Sequence, residues 1–347
     1  MSPLSVVLLL VGCSESSPCP VEGEDSLGTL TEWELEHRAQ PGPELPEVQS
    51  LTLAEDGLPL AYREFVPEGW DGSGVALVFV PGSSAHSGLY GDLGVGLAER
   101  GVLVRILDVR GHGLSVCAES GCGAPESVDR DPVDDGAYWT GRVGDSLDEQ
   151  QIVRDVGHLL ADMAEANPEA TLALGGHSSG GGVVSRLVES TGAPGVHRFL
   201  LLAPYNHPEQ PQVRPEVLLD CPETGGTHYA RLDLGALGDA LRGNVHRFVL
   251  HLHKSEQYTD PLDTLAYSYT TMTGMAASSP QGFWPAYGAP VLLLTGSDDH
   301  LLDPEISETQ VALAAQGSFG ELPETSHIGI IWSPEAVDQA AEFLLAD

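Results

Sequence analysis

A pentapeptide near the middle of the chain has the residue types and spacing of a serine nucleophile. Gly176-His177-Ser178-Ser179-Gly180 fits the pattern G-x-S-x-G, and it lies between the apolar run Thr171–Gly175 and a stretch of helical character. A serine on a strained strand-to-helix turn leaves no room for side chains two residues away, which explains the glycine on each side. The helix that follows would direct its first N–H groups at the charge that develops on an attacked carbonyl. The pattern predicts that Ser178 is a nucleophile.

A serine hydroxyl needs a base and an orienting acid, and both are found further along the chain. The apolar run Val291–Thr295 leads into Gly296-Ser297-Asp298-Asp299, which places two carboxylates on the loop after a buried strand. The candidate base is His327, which follows a predicted final strand at Gly317–Leu322. The order serine, acid, histidine matches one of the known arrangements of a catalytic triad.

The elements that must position these residues alternate in type along the chain. Short β-rich runs alternate with longer amphipathic stretches from residue 48 onward, which indicates an α/β fold with a mostly parallel central sheet flanked by helices. Val48–Leu53 and Leu60–Val66 are separated by Glu55-Asp56-Gly57 and are predicted to form a hairpin. The predicted buried strands are Val75–Val80, Val102–Asp108, Thr171–Gly175, Phe199–Ala203 and Val291–Thr295. The predicted helices are Leu89–Arg100, Leu147–Asn167, Ser178–Glu189 and Pro334–Leu345.

Two segments exceed ordinary loop lengths. Residues 116–146 are acidic and glycine-rich and contain Cys117 and Cys122, which are close enough in sequence to form a disulfide, although free buried thiols are an alternative. Residues 204–289 interrupt the alternation of strands and helices and are predicted to be an inserted cap rich in aromatic residues. We expect four of these aromatic residues to contact the substrate, unless they only hold the cap on the sheet: Tyr205, Tyr258, Tyr269 and Trp284.

The region 48–347 resembles the α/β-hydrolase family, particularly its serine aminopeptidase, monoacylglycerol lipase and lysophospholipase branch. The resemblance rests on the nucleophile motif, on Asp108-Val109-Arg110-Gly111-His112-Gly113-Leu114-Ser115 and on Val78-Phe79-Val80-Pro81-Gly82-Ser83. It implies that Asp299, three residues after Gly296, is the acid, and that the backbone N–H groups of Ser83 and Ser179 form the oxyanion hole. Pro81 departs from the family, which commonly has histidine there.

The resemblance implies a serine hydrolase that cleaves carboxylic esters of lipid-like or other small apolar acyl groups through an acyl-enzyme, without a cofactor. A peptidase of the aminopeptidase type and an inactive surface-anchored binding protein of the same fold remain as alternatives. We expect a small-molecule ester as the substrate and a monomeric protein. His246, His251 and His253 do not have the spacing of a metal site, so no metal is predicted.

Charge and the amino end bear on partners and location. The formal net charge of −36, from 15 basic and 51 acidic residues, would repel nucleic acid, which we exclude as a partner. Leu10-Val11-Gly12-Cys13 resembles the lipobox of bacterial lipoproteins, so residues 1–13 are predicted to be a signal peptide that ends at a lipidated Cys13. The protein would then be exported and held at a membrane only through that lipid, with plain secretion as the alternative. Residues 14–47 lack a helical or strand period and are predicted to be a disordered linker.

Overall fold

The structure is a computed structural model that describes residues 30–53, 55–130, 134, 136–214, 230–252, 254 and 259–346. Cys13 and Tyr258 lie outside the described residues, so the predictions made for them stay predictions. The described residues form one eight-stranded sheet and one three-stranded sheet. The strands of the large sheet are β1 (Val48–Thr52), β2 (Pro59–Phe65), β3 (Ser73–Val80), β4 (Val102–Leu107), β5 (Glu169–His177), β6 (Arg198–Leu202), β10 (Val291–Gly296) and β11 (Gly317–Leu322).

The large sheet confirms the predicted α/β class. Its strand order is β1-β2-β4-β3-β5-β6-β10-β11. The β1–β2 hairpin joins β4 in antiparallel pairing, and all the other pairs are parallel. The chain passes from β3 to β4 on one side and to β5 on the other, so the strand order reverses next to β3. In an open parallel sheet, the crevice beyond the carboxyl ends of the strands at such a reversal is where ligands bind.

Helices cover both faces of this sheet, and each face carries its own apolar core. One core contains Val78, Leu174 and Leu201 from the strands, and the other contains Leu77, Phe79 and Leu200. Because neighbouring residues of a strand point to opposite faces, strands buried on both sides read as the unbroken apolar runs seen in the sequence. The helices are α1 (Glu32–Arg38), α2 (Gly91–Glu99), α3 (Gln151–Ala166), α4 (Ser179–Thr191), α5 (Leu234–Ala240), α6 (Tyr269–Gly274), α7 (Pro304–Val311) and α8 (Pro334–Leu345).

The region between β6 and β10 contributes no strand to the large sheet within its described residues. It contains the three-stranded sheet, with the order β7-β8-β9 and antiparallel pairing, together with α5 and α6. These strands are β7 (Ala230–Leu232), β8 (Phe248–Leu252) and β9 (Ala266–Ser268). The described strands of residues 204–289 therefore form a sheet of their own, and we use the word cap for the described part of this range below.

The long acidic segment is attached to the cap through buried charges. Cys117 and Cys122 are joined by a disulfide. Arg142 and Asp145 are fully buried, with their side chains 3.3 Å apart, and the Arg142 guanidinium lies over the ring of Phe248 in β8. No helix in the described part of the chain has the length and apolar character needed to span a bilayer.

The prediction that residues 14–47 are a disordered linker is wrong for its described part, residues 30–47. Helix α1 occupies Glu32–Arg38, and Leu30 and Glu34 beside and within it are buried. A seven-residue helix is too short to be stable alone, so it forms here because it packs against the rest of the protein. The one local signal is the spacing Thr31-Glu32-Trp33-Glu34, a capping-box pattern in which the Glu34 carboxylate accepts a hydrogen bond from the Thr31 N–H at 2.8 Å.

Candidate active site

Ser178 lies on a sharp turn between β5 and α4. Its backbone has φ 51° and ψ −126°, a conformation that costs a non-glycine residue free energy. The flanking glycines make this turn possible. A Cβ on Gly180 would lie 2.1 Å from the carbonyl oxygen of Val80 and 2.5 Å from that of Pro81, and a Cβ on Gly176 would lie 2.5 Å from the backbone of Gly180. The steric argument made from the sequence therefore holds.

The structure brings Ser178, His327 and Asp299 into one hydrogen-bonded chain. The Nε2 atom of His327 lies 2.9 Å from Ser178 Oγ, and its Nδ1 atom lies 2.8 Å from Asp299 Oδ2. The second carboxylate oxygen of Asp299 accepts hydrogen bonds from the backbone N–H groups of Leu301 and Leu302, both at 2.9 Å. All three triad side chains are buried or nearly so, with Ser178 the most exposed at 8%.

Asp298 and Asp303, the two other aspartates near Asp299 in the chain, have different surroundings. The side chain of Asp298 is exposed, and its Oδ1 accepts a hydrogen bond of 3.4 Å from the neighbouring Ser297 hydroxyl. Asp303 accepts a hydrogen bond from the Ile306 N–H and caps helix α7. The geometry therefore favours Asp299 as the partner of His327, as the resemblance implied.

Gly296 allows the acid loop to lie directly against the loop that carries His327. A Cβ at Gly296 would lie 1.9 Å from the carbonyl oxygen of Thr325, so any side chain would force the two loops apart. The Asp298 N–H donates to the same carbonyl at 3.0 Å. This contact fixes the distance between Asp299 and His327.

The loop after β3 carries Ser83, and tyrosine hydroxyls hold the backbone on both sides of that residue. The Gly82 N–H donates to the Tyr90 hydroxyl at 2.8 Å, and the Ser84 N–H donates to the Tyr267 hydroxyl. Ser83 contacts Ser179 through a hydrogen bond of 2.8 Å between their side chains. The loop thus places Ser83 beside the start of α4, where the first N–H groups of a helix lack acceptors within the helix.

Each tyrosine in turn contacts a buried histidine. The Tyr90 hydroxyl lies 2.9 Å from His177 Nδ1, and His177 Nε2 lies 2.9 Å from the backbone carbonyl of His327. Because a carbonyl only accepts, His177 Nε2 must donate, and its Nδ1 then accepts from Tyr90 in the neutral ring. Burial, reinforced by the nearby His327, lowers the pKa of His177 to about 3, which keeps the ring neutral.

His112 repeats this arrangement on the other side of the loop. Its Nδ1 lies 3.0 Å from the carbonyl of Arg110, and its Nε2 lies 2.8 Å from the Tyr267 hydroxyl. Burial lowers the pKa of His112 to about 4. The neutral ring therefore donates to Arg110 and accepts from Tyr267, and its place in the structure is a support for the Ser84 backbone.

The segment after β4 that carries the D-x-R-G-H-G-x-S motif supports the same loop. The Asp108 carboxylate accepts from the Ser87 N–H at 2.6 Å and from the Leu114 N–H at 2.7 Å. Arg110 is fully buried and makes two hydrogen bonds to Asp155, at 2.7 and 2.9 Å. Asp108 therefore supports the segment that follows Ser83, and Arg110 joins the motif to helix α3.

A cavity of about 280 Å³ opens onto Ser178. One wall is the segment 37–45 from the amino end, and another is the loop 327–332 that begins with His327. Residues 82–92 line a third side, and the described part of the cap contributes Lys254, Thr259 and Asp260. Cavities that bind small molecules have this order of size and are bounded mainly by apolar groups.

Three of the four aromatic residues predicted to contact the substrate lie away from this cavity, and the fourth, Tyr258, lies outside the described residues. Trp284 is fully buried, with its ring 4.7 Å from that of Phe283 and 5.8 Å from that of Tyr287. Tyr269 packs on the small apolar cluster around α5, and Tyr205 packs on the sheet-face core that contains Phe79. The lining of the cavity includes none of Tyr205, Tyr269 and Trp284. Aromatic residues in a cap have apolar neighbours whether they pack inward or face a ligand, so composition did not separate the two roles.

Several residues of the site were missed from the sequence. Tyr90 and Tyr267 have no local signal, because their hydroxyls reach the loop of Ser83 from distant parts of the chain. The segment 37–45 was excluded from the fold altogether. Its only hint was the Thr31–Glu34 spacing described above.

The histidines considered for a metal site do not converge. His246 contacts Asp145 at 3.1 Å, His251 is exposed, and His253 lies outside the described residues. Across the described ranges, no group of three or more histidine, cysteine, aspartate or glutamate residues could hold a metal ion.

Solved structures share the fold over nearly their whole length. A soluble variant of monoglyceride lipase from Saccharomyces cerevisiae, in complex with a substrate analog, aligns over 88% of this chain and 98% of its own, with a TM-score of 0.61 and 16% identity. Monoacylglycerol lipase from Paleococcus ferrophilus aligns over 83% of this chain and 99% of its own, with a TM-score of 0.53 and 21% identity. A malate-bound thermophilic esterase from Thermogutta terrifontis aligns over 85% of this chain and 96% of its own, with a TM-score of 0.52 and 17% identity. A sequence search of curated proteins finds no match.

The family can be assigned from the sequence itself. The model of the family described as serine aminopeptidase, S33, matches residues 74–327, which run from β3 to the histidine of the hydrogen-bonded chain. The fold that the matched region adopts is that of the α/β hydrolases, as the solved structures show. This chain is therefore a hydrolase that belongs to the serine aminopeptidase S33 family.

Proposed function

We propose that the protein cleaves carboxylic esters with small apolar acyl groups through an acyl-enzyme intermediate on Ser178. The observation that carries the proposal is the chain Ser178–His327–Asp299, with contacts of 2.9 and 2.8 Å, at the base of a cavity. His327 Nε2 is within reach of the Ser178 proton, and Asp299 holds the other ring nitrogen. The substrate is a small molecule, and the protein acts as a monomer without a cofactor.

The proposed reaction has two steps, acylation of Ser178 and hydrolysis of the acyl-enzyme. In the first step, Ser178 Oγ attacks the ester carbonyl carbon while His327 takes the hydroxyl proton, and the alcohol leaves with that proton. In the second step, water loses a proton to His327 and attacks the acyl-serine, which releases the carboxylic acid and restores the serine hydroxyl. The backbone N–H groups of Ser83 and Ser179 would stabilise the oxyanion formed in each step.

The charges around the cavity favour ester substrates over peptides with a free amino terminus. An aminopeptidase must bind a cationic amine with carboxylates that are available to it. Two carboxylates of the lining already have partners, since Asp92 lies 3.3 Å from His37 and Asp260 lies 3.0 Å from His86. The names of the structural neighbours, two monoacylglycerol lipases and an esterase, agree with this choice.

The proposal is tested by assaying p-nitrophenyl esters from acetate to decanoate beside amino-acid p-nitroanilides. We expect ester hydrolysis, with Ser178→Ala lowering kcat by several orders of magnitude and blocking labelling by a fluorophosphonate. Ser190→Ala is the matched control, because Ser190 is an exposed serine of the same helix. Cleavage of anilides in preference to esters would favour the peptidase. An inactive wild type that fails to react with the fluorophosphonate would favour the binding protein.

A further inference from the structure

Helix α1 is attached at three points to the loop that carries His327. The Trp33 indole N–H donates to the carbonyl of Glu324 at 2.6 Å, ahead of His327 in the chain. The Glu34 carboxylate accepts from the N–H of Ser326, the residue before His327, at 2.8 Å. After His327, the ring of Trp332 stacks on His37 at 6.1 Å and lies under the guanidinium of Arg38 at 5.5 Å.

Glu34 is the central one of these attachments, and its surroundings are unusual for a carboxylate. The side chain is fully buried, and its two oxygens accept from the N–H groups of Thr31 and Ser326, both at 2.8 Å. A buried carboxylate is costly unless its hydrogen bonds are satisfied, so Glu34 ties α1 firmly to the loop. Gly329 makes room for it, because a Cβ at that position would lie 1.5 Å from Glu34 Oε1.

From this arrangement we infer that Glu34 is a positioning residue for His327. The inference rests on the proposed function, because it assigns Glu34 a part in setting the contact between His327 and Ser178. His327 itself has a side chain bonded to Asp299 and Ser178 and a carbonyl bonded to His177. The hydrogen bond from the Ser326 N–H to Glu34 fixes the backbone immediately before His327. Loss of the Glu34 carboxylate leaves that backbone without its anchor on α1.

The first test is Glu34→Gln, with Glu36→Gln as the matched control on the exposed side of the same helix. A glutamine amide has one acceptor oxygen, so one of the two N–H donors would face the amide nitrogen instead. We expect kcat for p-nitrophenyl esters to fall about tenfold per titrated active site with little change in KM, as when an interaction specific to the transition state is lost. Glu36→Gln is expected to behave as wild type.

Gly329→Ala provides a second test that leaves Glu34 in place. The added methyl group would displace the Glu34 carboxylate, so Gly329→Ala should lower kcat in the same way. The three heavy atoms nearest to the added methyl group all belong to Glu34, so Glu34→Ala would give the methyl group space. The double variant Glu34→Ala/Gly329→Ala should therefore be no less active than Glu34→Ala alone, which is a strongly non-additive result.

The inference is overturned if Glu34→Gln lowers the melting temperature while kcat per titrated site stays at the wild-type value. It is also overturned if the effects of Glu34→Ala and Gly329→Ala simply add. Failure of the proposed function is distinguished from both results, because it would appear in the wild type as a lack of ester turnover or of fluorophosphonate labelling at Ser178.

A separate observation, the lining of the cavity, carries a second inference. The strap, residues 37–45, consists of the last two residues of α1 and the segment after them, and it forms the wall of the cavity near the start of α2. Its Leu45 side chain packs so closely there that a Cβ at Gly91 would lie 2.5 Å from Leu45 Cδ2. Leu45 is half-buried, with part of its surface facing the cavity. We propose that Leu45 is a specificity-determining residue that limits the length of the group bound in the cavity.

This proposal also rests on the proposed function and is tested by substitutions that change the size of residue 45. Leu45→Ala should raise kcat/KM for long esters relative to short ones by about tenfold, and Leu45→Phe should have the opposite effect. Both the acyl and the alcohol series are measured. Leu51→Ala is the control, because Leu51 is also partly buried but packs on the core of the other sheet face. The proposal is overturned if folded Leu45 variants keep the wild-type preference for chain length in both the acyl and the alcohol series. That result is distinct from failure of the proposed function, because the wild type would still hydrolyse esters.

Discussion

The side chain of His177 donates a hydrogen bond to the backbone carbonyl of His327, with 2.9 Å between Nε2 and the oxygen. The residue before the nucleophile thus holds the residue proposed as the base. The other nitrogen of His177 accepts from Tyr90, whose hydroxyl also accepts the N–H of Gly82. One neutral hydrogen-bonded chain therefore connects the loop of Ser83 to the loop of His327, and it runs through the residue that precedes Ser178.

Tyr90→Phe should disturb both loops at once. Loss of the hydroxyl leaves the Gly82 N–H without its acceptor and His177 Nδ1 without its donor, in a fully buried place. An unsatisfied buried polar group costs about 1–3 kcal/mol, so we expect an unfolding free energy lower by about that amount and kcat lower by about tenfold. Tyr62→Phe is the control, because it removes a partly buried hydroxyl that donates to the Gln49 side chain away from both loops. Wild-type kcat in Tyr90→Phe would contradict the expectation.

Lowering the pH below about 6.5 should destabilise the protein through buried histidines that stay neutral in the fold. The pKa values of His177 and His112 are lowered to about 3 and about 4 by burial, below the ordinary value of 6.5. Between these values and pH 6.5, the unfolded chain binds protons at both sites and the folded protein does not. The free energy of unfolding therefore falls as the pH falls from about 6.5 to about 4, by about 1.4 kcal/mol per pH unit for each histidine.

Urea unfolding at a series of pH values measures this slope. His112→Gln removes one of these titrating histidines, so the variant should lose stability less steeply than wild type between pH 6.5 and 5. His300→Gln is the control, because His300 is exposed. Equal slopes for wild type and His112→Gln would show that His112 does not resist protonation in the folded protein.

Asp299→Asn should remove most of the activity while preserving the fold. The asparagine would keep the shape of the side chain, but it would place an amide group against His327 Nδ1 and could favour the wrong ring tautomer. A loss of kcat of about 10⁴-fold is expected from the same substitution in a triad of this kind. Asp298→Asn is the matched control, because that carboxylate is exposed beside it. Should Asp298→Asn cause the larger loss, the acid would have been misassigned.

Trp284→Ala should lower stability without altering specificity. The side chain is fully buried between Phe283 and Tyr287, and truncation of a buried tryptophan costs about 3–5 kcal/mol. Ester kcat/KM values, corrected for the folded fraction, should keep their order across chain lengths. Trp332→Ala is the contrasting variant, because Trp332 lines the cavity and should change that order. A changed chain-length profile in Trp284→Ala alone would restore the earlier interpretation of this residue as a substrate contact.

The amino end gives a prediction about location. We propose that Cys13, in Leu10-Val11-Gly12-Cys13, is lipidated and anchors an exported protein to a bacterial membrane. Expressed in a bacterium that processes lipoproteins, the wild type should sediment with membranes and Cys13→Ala should not. A protein with the substitution Cys19→Ala is the control. Equal partitioning of wild type and Cys13→Ala would contradict the proposal.

The sequence by itself determined the large sheet and the three residues of the proposed triad. Strands such as β3 and β10 are buried on both faces, so each appears as an unbroken apolar run, and the chemistry follows at their carboxyl ends. Ser178 was recognisable because the strained turn around it requires Gly176 and Gly180 within two residues. These are local constraints, and local constraints leave a local pattern.

Only the tertiary structure decided what surrounds the triad. Helix α1 has too few residues to be stable alone and depends on contacts with residues about 290 positions away, such as the 2.8 Å hydrogen bond between Glu34 and Ser326. Trp284 and Trp332 are both aromatic residues in apolar surroundings, yet one lies in the core and the other lines the cavity. The physical reason is that the free energy of burying an apolar side chain does not depend on direction, so composition alone does not say which surface it covers.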